Sequence, residues 1–253
     1  MYHSLEANLH DLFWRHEKDA NELPLLKNFL SRHHCTKALE IGCGSGRLML
    51  ELLKEGYDIE GVELSSDMVE LLKSEAKTRH LSAVVHHCAI EEFRSQQKYS
   101  HIVIPAFTLQ LLSREAAFEV LKKIRLLTHS NAKLYFTLFI PWAEILDDIE
   151  IDVWHLDKEA PLEDQKLARC YTMHSLNRVM QELYREHRYE IVTSEQKVEQ
   201  THHSSQQLQW YFLPEIMTML KASGWKFDYY DSDFEAGVQD PDASVLTVYA
   251  TAF

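Results

Sequence analysis

Glycine is scarce in this sequence, seven among 253 residues, and three of the seven stand together at Gly42, Gly44 and Gly46. Cysteine is scarcer still. Cys35, Cys43, Cys88 and Cys170 are scattered without a close pair, which excludes a disulfide scaffold and a metal or redox pair and fits free thiols of a cytoplasmic protein. No apolar run approaches the length that spans a bilayer. The opening stretch MYHSLEANLHDLFWRHEKDANEL carries acids throughout and does not read as a secretory signal. Basic residues are also in deficit: 26 Lys and Arg face 39 Asp and Glu, a net charge of −13. Such a surface repels phosphate backbones and anionic lipid, which argues against nucleic-acid and membrane partners. Histidine is plentiful, 15 residues with doublets at 33–34, 86–87 and 202–203. Adjacent residues on a strand point to opposite faces, so the doublets do not predict a metal site.

What is present is an ordinary globular composition, 45% hydrophobic and 26% charged. Leu9, Leu12, Phe13, Leu23, Leu26, Phe29 and Leu30 recur at helical intervals and predict a helix from about Leu5 to Arg32. Strands are predicted at 37–41, 57–63, 83–88, 101–104 and 132–140, with helices at 47–53, 66–77 and 114–127 between them. Ser65 or Ser66 is a suitable N-cap for the second of these helices. The alternation argues for a parallel sheet covered by helices on both faces. After Pro141 the rhythm changes to polar-aromatic segments with period two, at 149–156, 169–174, 189–198 and 205–212; the segment 176–185 reads as either strand or helix. A helix at 213–223, stopped by Gly224, and strands at 225–231 and 245–251 follow. The expected organisation is a cofactor-binding core from 1 to 140, a β-rich insertion from 141 to 212, and completion of the core from 213 to 253.

The stretch KALEIGCGSGRLMLELLKEGYDIEGVELSSDM joins the glycines to the acid Glu63 at the end of the second strand. Glycines in a strand-to-helix turn let a ligand approach the backbone where a Cβ would block it. A dinucleotide fingerprint would need its third glycine where Arg47 stands, which disfavours a dehydrogenase. The observed spacing is E-x-G-x-G-x-G, from Glu40 to Gly46. With GYDIEGVELSSDM, CAIEEF...YSHIVIPAFTLQLL and QWYFLPEIMTMLKASGWKFDYYDSDFE, it resembles the class I S-adenosylmethionine-dependent methyltransferases, in their small-molecule branch.

That resemblance implies a Rossmann-like, seven-stranded, mostly parallel sheet with an antiparallel insertion after the fifth strand acting as a lid. It implies S-adenosylmethionine as cofactor and a small-molecule acceptor methylated at oxygen or nitrogen, with no membrane partner and a monomer or homodimer. Cofactor contacts are carried onto Glu40, Gly42, Cys43, Gly44, Gly46, Glu63, Leu64, Met68, Ala89, Ile90 and Pro105. Glu40 would organise the glycine loop and the methionine ammonium. Glu63 would accept both ribose hydroxyls, as a strand-end carboxylate can do for a vicinal diol. Adenine would rest on Ile90 and Leu64. Ala89 and Ser100 stand where relatives often carry aspartates.

Candidate groups near the reacting centre are His10 with Asp11, Phe107, Thr108, Gln110, His155 and His202, of which His10, Gln110 and His155 are the catalytic candidates. An oxygen acceptor would need a base, whereas a neutral amine needs little beyond orientation. Arg47 reads as a solvated helix residue. Trp142, Trp154, Tyr171, Trp210 and Tyr211 read as packing or as walls of an acceptor pocket, and Asp147, Asp148, Glu150 and Asp152 as a solvated turn. Two other readings stay open here: methylation of a modified nucleoside in transfer RNA, and a non-catalytic binding or interaction module.

Overall fold

The structure, a computed structural model, describes residues 9, 12, 13, 22–146 and 148–253. It divides into two compact units. The first comprises 22–140 and 211–253; the second comprises 141–210 together with Leu9, Leu12 and Phe13.

In the first unit, helix α1 (Glu22–Arg32) leads into strand β1 (Ala38–Ile41), and the glycine turn follows. Then come α2 (Met49–Lys54), β2 (Ile59–Glu63), α3 (Ser66–Thr78), β3 (Val84–His87), β4 (Tyr99–Ile104), a 3₁₀ turn at Thr108–Leu111, α4 (Arg114–Leu126) and β5 (Thr128–Phe139). Ser65 caps α3 by accepting from the Met68 amide at 3.3 Å, as its position predicts. All four residues of β1 are buried, so both faces of the sheet are covered at its centre.

The second unit contains the short helix α5 (Trp142–Ile145) and four antiparallel strands, β6 (Trp154–Pro161), β7 (Leu167–Asn177), β8 (Glu182–Val192) and β9 (Val198–Gln209), paired in that order. Three expectations are corrected here. The segment 176–185 is neither one strand nor a helix; it is the hairpin between β7 and β8, whose turn leaves Gln181 at φ 55°. The segment 189–198 is likewise the β8–β9 hairpin, with Gln196 at φ 62°. Residues 149–153 precede β6 and are irregular.

The chain returns to the first unit with α6 (Leu213–Ala222), β10 (Trp225–Ser232) and β11 (Val245–Ala252). Gly224, at φ 88°, ends α6 as its position predicts. The sheet order is β10-β11-β5-β4-β1-β2-β3, with β11 alone antiparallel to its neighbours. This is the seven-stranded, mostly parallel sheet expected from the sequence. In such sheets ligands bind beyond the carboxyl ends of the strands, where the order reverses, here between β1 and β4.

Candidate functional site

The residues at that edge begin with the glycine turn. Gly42, Gly44 and Gly46 all have positive φ, at 71°, 54° and 89°. A Cβ on Gly42 would lie 2.5 Å from Thr108 Cγ2, and one on Gly46 would lie 2.9 Å from Leu50 and Leu72. A Cβ on Gly44 would meet nothing within 4 Å. Gly42 and Gly46 therefore serve packing, while Gly44 leaves the turn's surface open. Cys43 turns inward: it is buried, and a Cβ on Gly61 would lie 2.5 Å from its Sγ. Burial keeps its thiol protonated.

Glu63, at the end of β2, accepts from the Gly44 amide at 2.9 Å, the Leu64 amide at 2.9 Å and the Ser65 amide at 2.7 Å. Its carboxylate thus ties the glycine turn to the start of α3. Leu64 beside it is half exposed, an apolar surface at the edge, and Ile90 is buried. Ala89 accepts through its carbonyl from the Glu92 and Phe93 amides, closing a short turn. Met68 is a core residue of α3. Ser100 lies at the opposite, amino end of β4, where its hydroxyl accepts from the Thr36 and Lys37 amides.

Beyond β4 the backbone is strained. Ala106 and Phe107 are both left-handed, at φ 51° and 61°, although neither is glycine. Their amides are held: Ala106 donates to Glu22 Oε2 at 3.3 Å and Phe107 donates to Thr137 Oγ1 at 3.2 Å. The Thr108 hydroxyl donates to the Pro105 carbonyl at 2.7 Å. Gln110 does not face a reacting centre. It is buried, its Nε2 donates to the Phe139 carbonyl at 2.9 Å, and its Oε1 accepts from the Phe139 amide at 2.6 Å, so it anchors the end of β5.

Two further carboxyl groups near this edge, Glu40 and Glu22, are buried. Glu40 is 2% exposed and its Oε2 has no hydrogen-bond partner. Burial, only partly offset by Arg47 and reinforced by Glu22 and Glu63, raises its pKa to about 8. Glu22 is 1% exposed, and burial raises its pKa too. Arg47 Nη2 lies 3.7 Å from Glu22 Oε2, which corrects the reading of Arg47 as a solvated residue. Glu22 was missed in the sequence, although a signal exists. Positions 22, 25, 26, 29 and 30 form one helical stripe, and four of its five members are apolar and buried.

Of the remaining candidates, His10 and Asp11 lie outside the described residues. His155, in the second unit, bonds the Glu150 carbonyl through Nε2 at 2.7 Å, and His202 lies 6.3 Å from the Tyr189 ring. Among the described residues no group of three or more His, Cys, Asp or Glu could hold a metal. No described helix is long and apolar enough to cross a membrane.

Comparison with known proteins agrees with this geometry. Residues 38–131 match the family described as "Methyltransferase domain". The chain is 29% identical over 93 residues to the dTDP-3-amino-3,6-dideoxy-alpha-D-glucopyranose N,N-dimethyltransferase of Streptomyces fradiae, covering 36% of this chain and 35% of that one. A protein of Geobacillus sp. (strain WCH70), named only at the level of methyltransferase, is 26% identical over 114 residues, 41% of this chain and 46% of the other. The chain thus spans less than half the length of the curated relatives it matches. Over whole chains, a Clostridium acetobutylicum S-adenosylmethionine-dependent methyltransferase superposes with a TM-score of 0.81 at 12% identity, covering 97% of both. An amino pentose methyltransferase of Micromonospora echinaspora, solved with S-adenosylmethionine bound, gives 0.72 at 13% identity and covers both chains fully. Residues 38–131 thus match a methyltransferase domain, and the chain shares the fold of these solved methyltransferases.

Proposed function

We propose that this methyltransferase-fold chain moves a methyl group from S-adenosylmethionine to the amino group of a small molecule, an amino sugar being the acceptor class to test first. The observation that carries the cofactor reading is the pair of buried acids at the glycine turn, Glu22 and Glu40, each with one oxygen lacking a partner. A buried carboxylate without a donor is costly, so the site suits a cationic ligand. S-Adenosylmethionine carries both an ammonium and a sulfonium. NAD has no comparable primary ammonium to meet these acids.

Glu63 would hold the ribose hydroxyls, and Leu64 and Ile90 would flank the adenine. When bound, the cofactor supplies an activated methyl group, so the protein's part is alignment and exclusion of water. The open Gly44 and the held Ala106–Phe107 turn would shape the floor of that alignment. A neutral amine acceptor needs no strong base before transfer and only loses a proton afterwards. Support for nitrogen over oxygen comes from the relatives, since one is named as an amino-sugar N,N-dimethyltransferase and another as an amino pentose methyltransferase.

Calorimetric titration with S-adenosylmethionine, S-adenosylhomocysteine and NAD tests the cofactor. Binding of the adenosyl compounds alone is expected, and their failure to bind folded protein would end the reading. Incubation with S-adenosylmethionine and a panel of amino sugars and their nucleotide derivatives, read by mass spectrometry, tests the acceptor. Methylation of hydroxyl but not amino compounds would overturn the choice of nitrogen.

A further inference from the structure

Glu22 belongs to no motif, yet it is buried and its Oε1 has no hydrogen-bond partner. It sits on the apolar stripe of α1 and reaches the same region as Glu40 from a different element. The groups facing it come from three places. Arg47 arrives from the glycine turn, Ala106 from the strained loop after β4, and Tyr135 and Thr137 from β5. The two hydroxyls ease its ionisation, but neither completes a hydrogen bond to Oε1. Burial keeps the Tyr135 hydroxyl and the Cys43 thiol neutral, so neither adds charge. Glu63 adds a third negative charge felt by Glu40. The Arg47 guanidinium thus faces two buried carboxyl groups, and each presents an unpartnered oxygen.

We infer that Glu22 and Glu40 together form a two-carboxylate receptor for the primary ammonium of the cofactor, and that filling it expels a proton the empty pair retains. The inference rests on the cofactor proposed above and adds to it Glu22 and the exchanged proton. Two buried acids beside the Arg47 guanidinium are not both ionised at neutral pH, because Arg47 and the nearby donors offset their desolvation and mutual repulsion only in part. One carboxyl O–H therefore persists in the empty site. When an R–NH₃⁺ group enters, that O–H bond breaks and the proton goes to buffer. Two carboxylates then accept from the ammonium, and the ligand itself keeps all its protons. Cofactor affinity is consequently pH-dependent: it rises with pH until the empty pair has lost its proton.

The test is calorimetric titration of the full chain near neutral pH in two buffers of similar pKa but different ionisation enthalpy, which counts protons released. The probes are S-adenosylhomocysteine, which carries the ammonium, and 5′-methylthioadenosine, which keeps the adenosine and thioether but lacks the amino acid. Release on binding the first and none on binding the second is expected. Glu22→Gln should weaken S-adenosylhomocysteine about tenfold or more, in line with loss of a charged hydrogen bond, lower its proton count, and leave methylthioadenosine affinity unchanged. Equal proton release by both probes, or none by either, overturns the receptor while leaving the cofactor reading intact. Equal weakening of both probes in Glu22→Gln does the same. Failure of both probes to bind folded wild-type protein removes the cofactor reading and the receptor with it. The two-probe comparison needs no variant, so it stands even where Glu22→Gln does not fold.

Discussion

The sheet edge of the first unit and the antiparallel unit hold titratable groups that desolvation shifts in opposite directions. At the edge of the parallel sheet the buried groups are carboxyls, and burial raises their proton affinity. In the antiparallel unit the shifted groups include two partly buried imidazoles, His174 and His187, and desolvation lowers their proton affinity. There, Thr172 is buried and its hydroxyl donates to Asp157 Oδ2 at 3.1 Å while lying 3.0 Å from His187 Nδ1. With the hydroxyl proton spent on Asp157, His187 Nδ1–H must be the donor to Thr172 Oγ1, which fixes a neutral tautomer. His174 is partly buried beside Arg185, whose charge adds to the desolvation. An apolar cluster of Ala160, Ala168, Cys170, Tyr189 and Ile191 closes the same sheet with Leu9 and Phe13. The carboxyl site thus leaves acceptor oxygens unpartnered, whereas the Thr172 network spends its donors locally. A ligand is expected to change the first unit's titration far more than the second's.

The largest test of this contrast is the pH dependence of stability. Glu40 binds a proton more tightly folded, near 8, than unfolded, near 4.5. Its contribution to ligand-free stability is therefore full below about 4.5 and is lost as pH rises toward 8. Glu40→Gln should abolish that slope, a difference on the order of a few kcal/mol between the two pH limits, read by urea unfolding. His187 behaves in the opposite sense, with its pKa lowered from 6.5 to about 4. Its neutral form favours folding above 6.5, and that contribution is lost as pH falls toward 4, so His187→Gln should flatten the acid side. Slopes of the same sign in both variants would erase the comparison. His101, in the first unit, also titrates near 4, which is why each variant is measured as a difference from wild type.

Next in size is Glu63→Ala. It removes the acceptor of three amides that join the glycine turn to α3, as well as the proposed ribose contact. Charged hydrogen bonds contribute about 1.5–3 kcal/mol each, so cofactor affinity should fall about 100-fold by calorimetry. Gly42→Ala follows: the new Cβ would meet Thr108 at 2.5 Å on a backbone with φ 71°. A loss of roughly 1–3 kcal/mol in urea unfolding is expected, with partial rescue by Thr108→Ala, which relieves the contact but not the backbone strain. The smallest effect belongs to the second unit. Arg188 lies over both Trp154, at 5.1 Å, and Tyr171, at 4.5 Å, and Arg188→Ala should cost about 0.5–1 kcal/mol in the same assay.

How much of this was legible in the sequence follows from where each signal lies. The core strands, the Ser65 cap and the Gly224 stop were readable because local periodicity and turn chemistry agree with the fold there. The insertion's hairpins were not. Their turns place Gln165, Gln181 and Gln196 in left-handed backbone, where glycine or asparagine would have announced a turn. A chain with so few glycines conceals its corners. At the site, Glu40, Glu63 and the glycines were visible as a motif. Glu22, Arg47 and the Ala106–Phe107 turn act only through long-range packing, and of these only Glu22 left a trace, as a charge on an apolar stripe.

The sheet order carries one more consequence, for the way the molecule is made. Strand β11 lies between β10 and β5, and its partner β5 precedes it by about a hundred residues that include the whole antiparallel unit. On the ribosome, β5 therefore emerges with one long edge bare and keeps it so until the insertion has been synthesised. During that interval its run of Leu134, Tyr135, Phe136 and Leu138, all buried in the finished fold, is open to pairing with a neighbouring nascent chain. Yield in the cell should accordingly depend on how quickly the insertion folds out of the way, a quantity that no feature of the completed site controls.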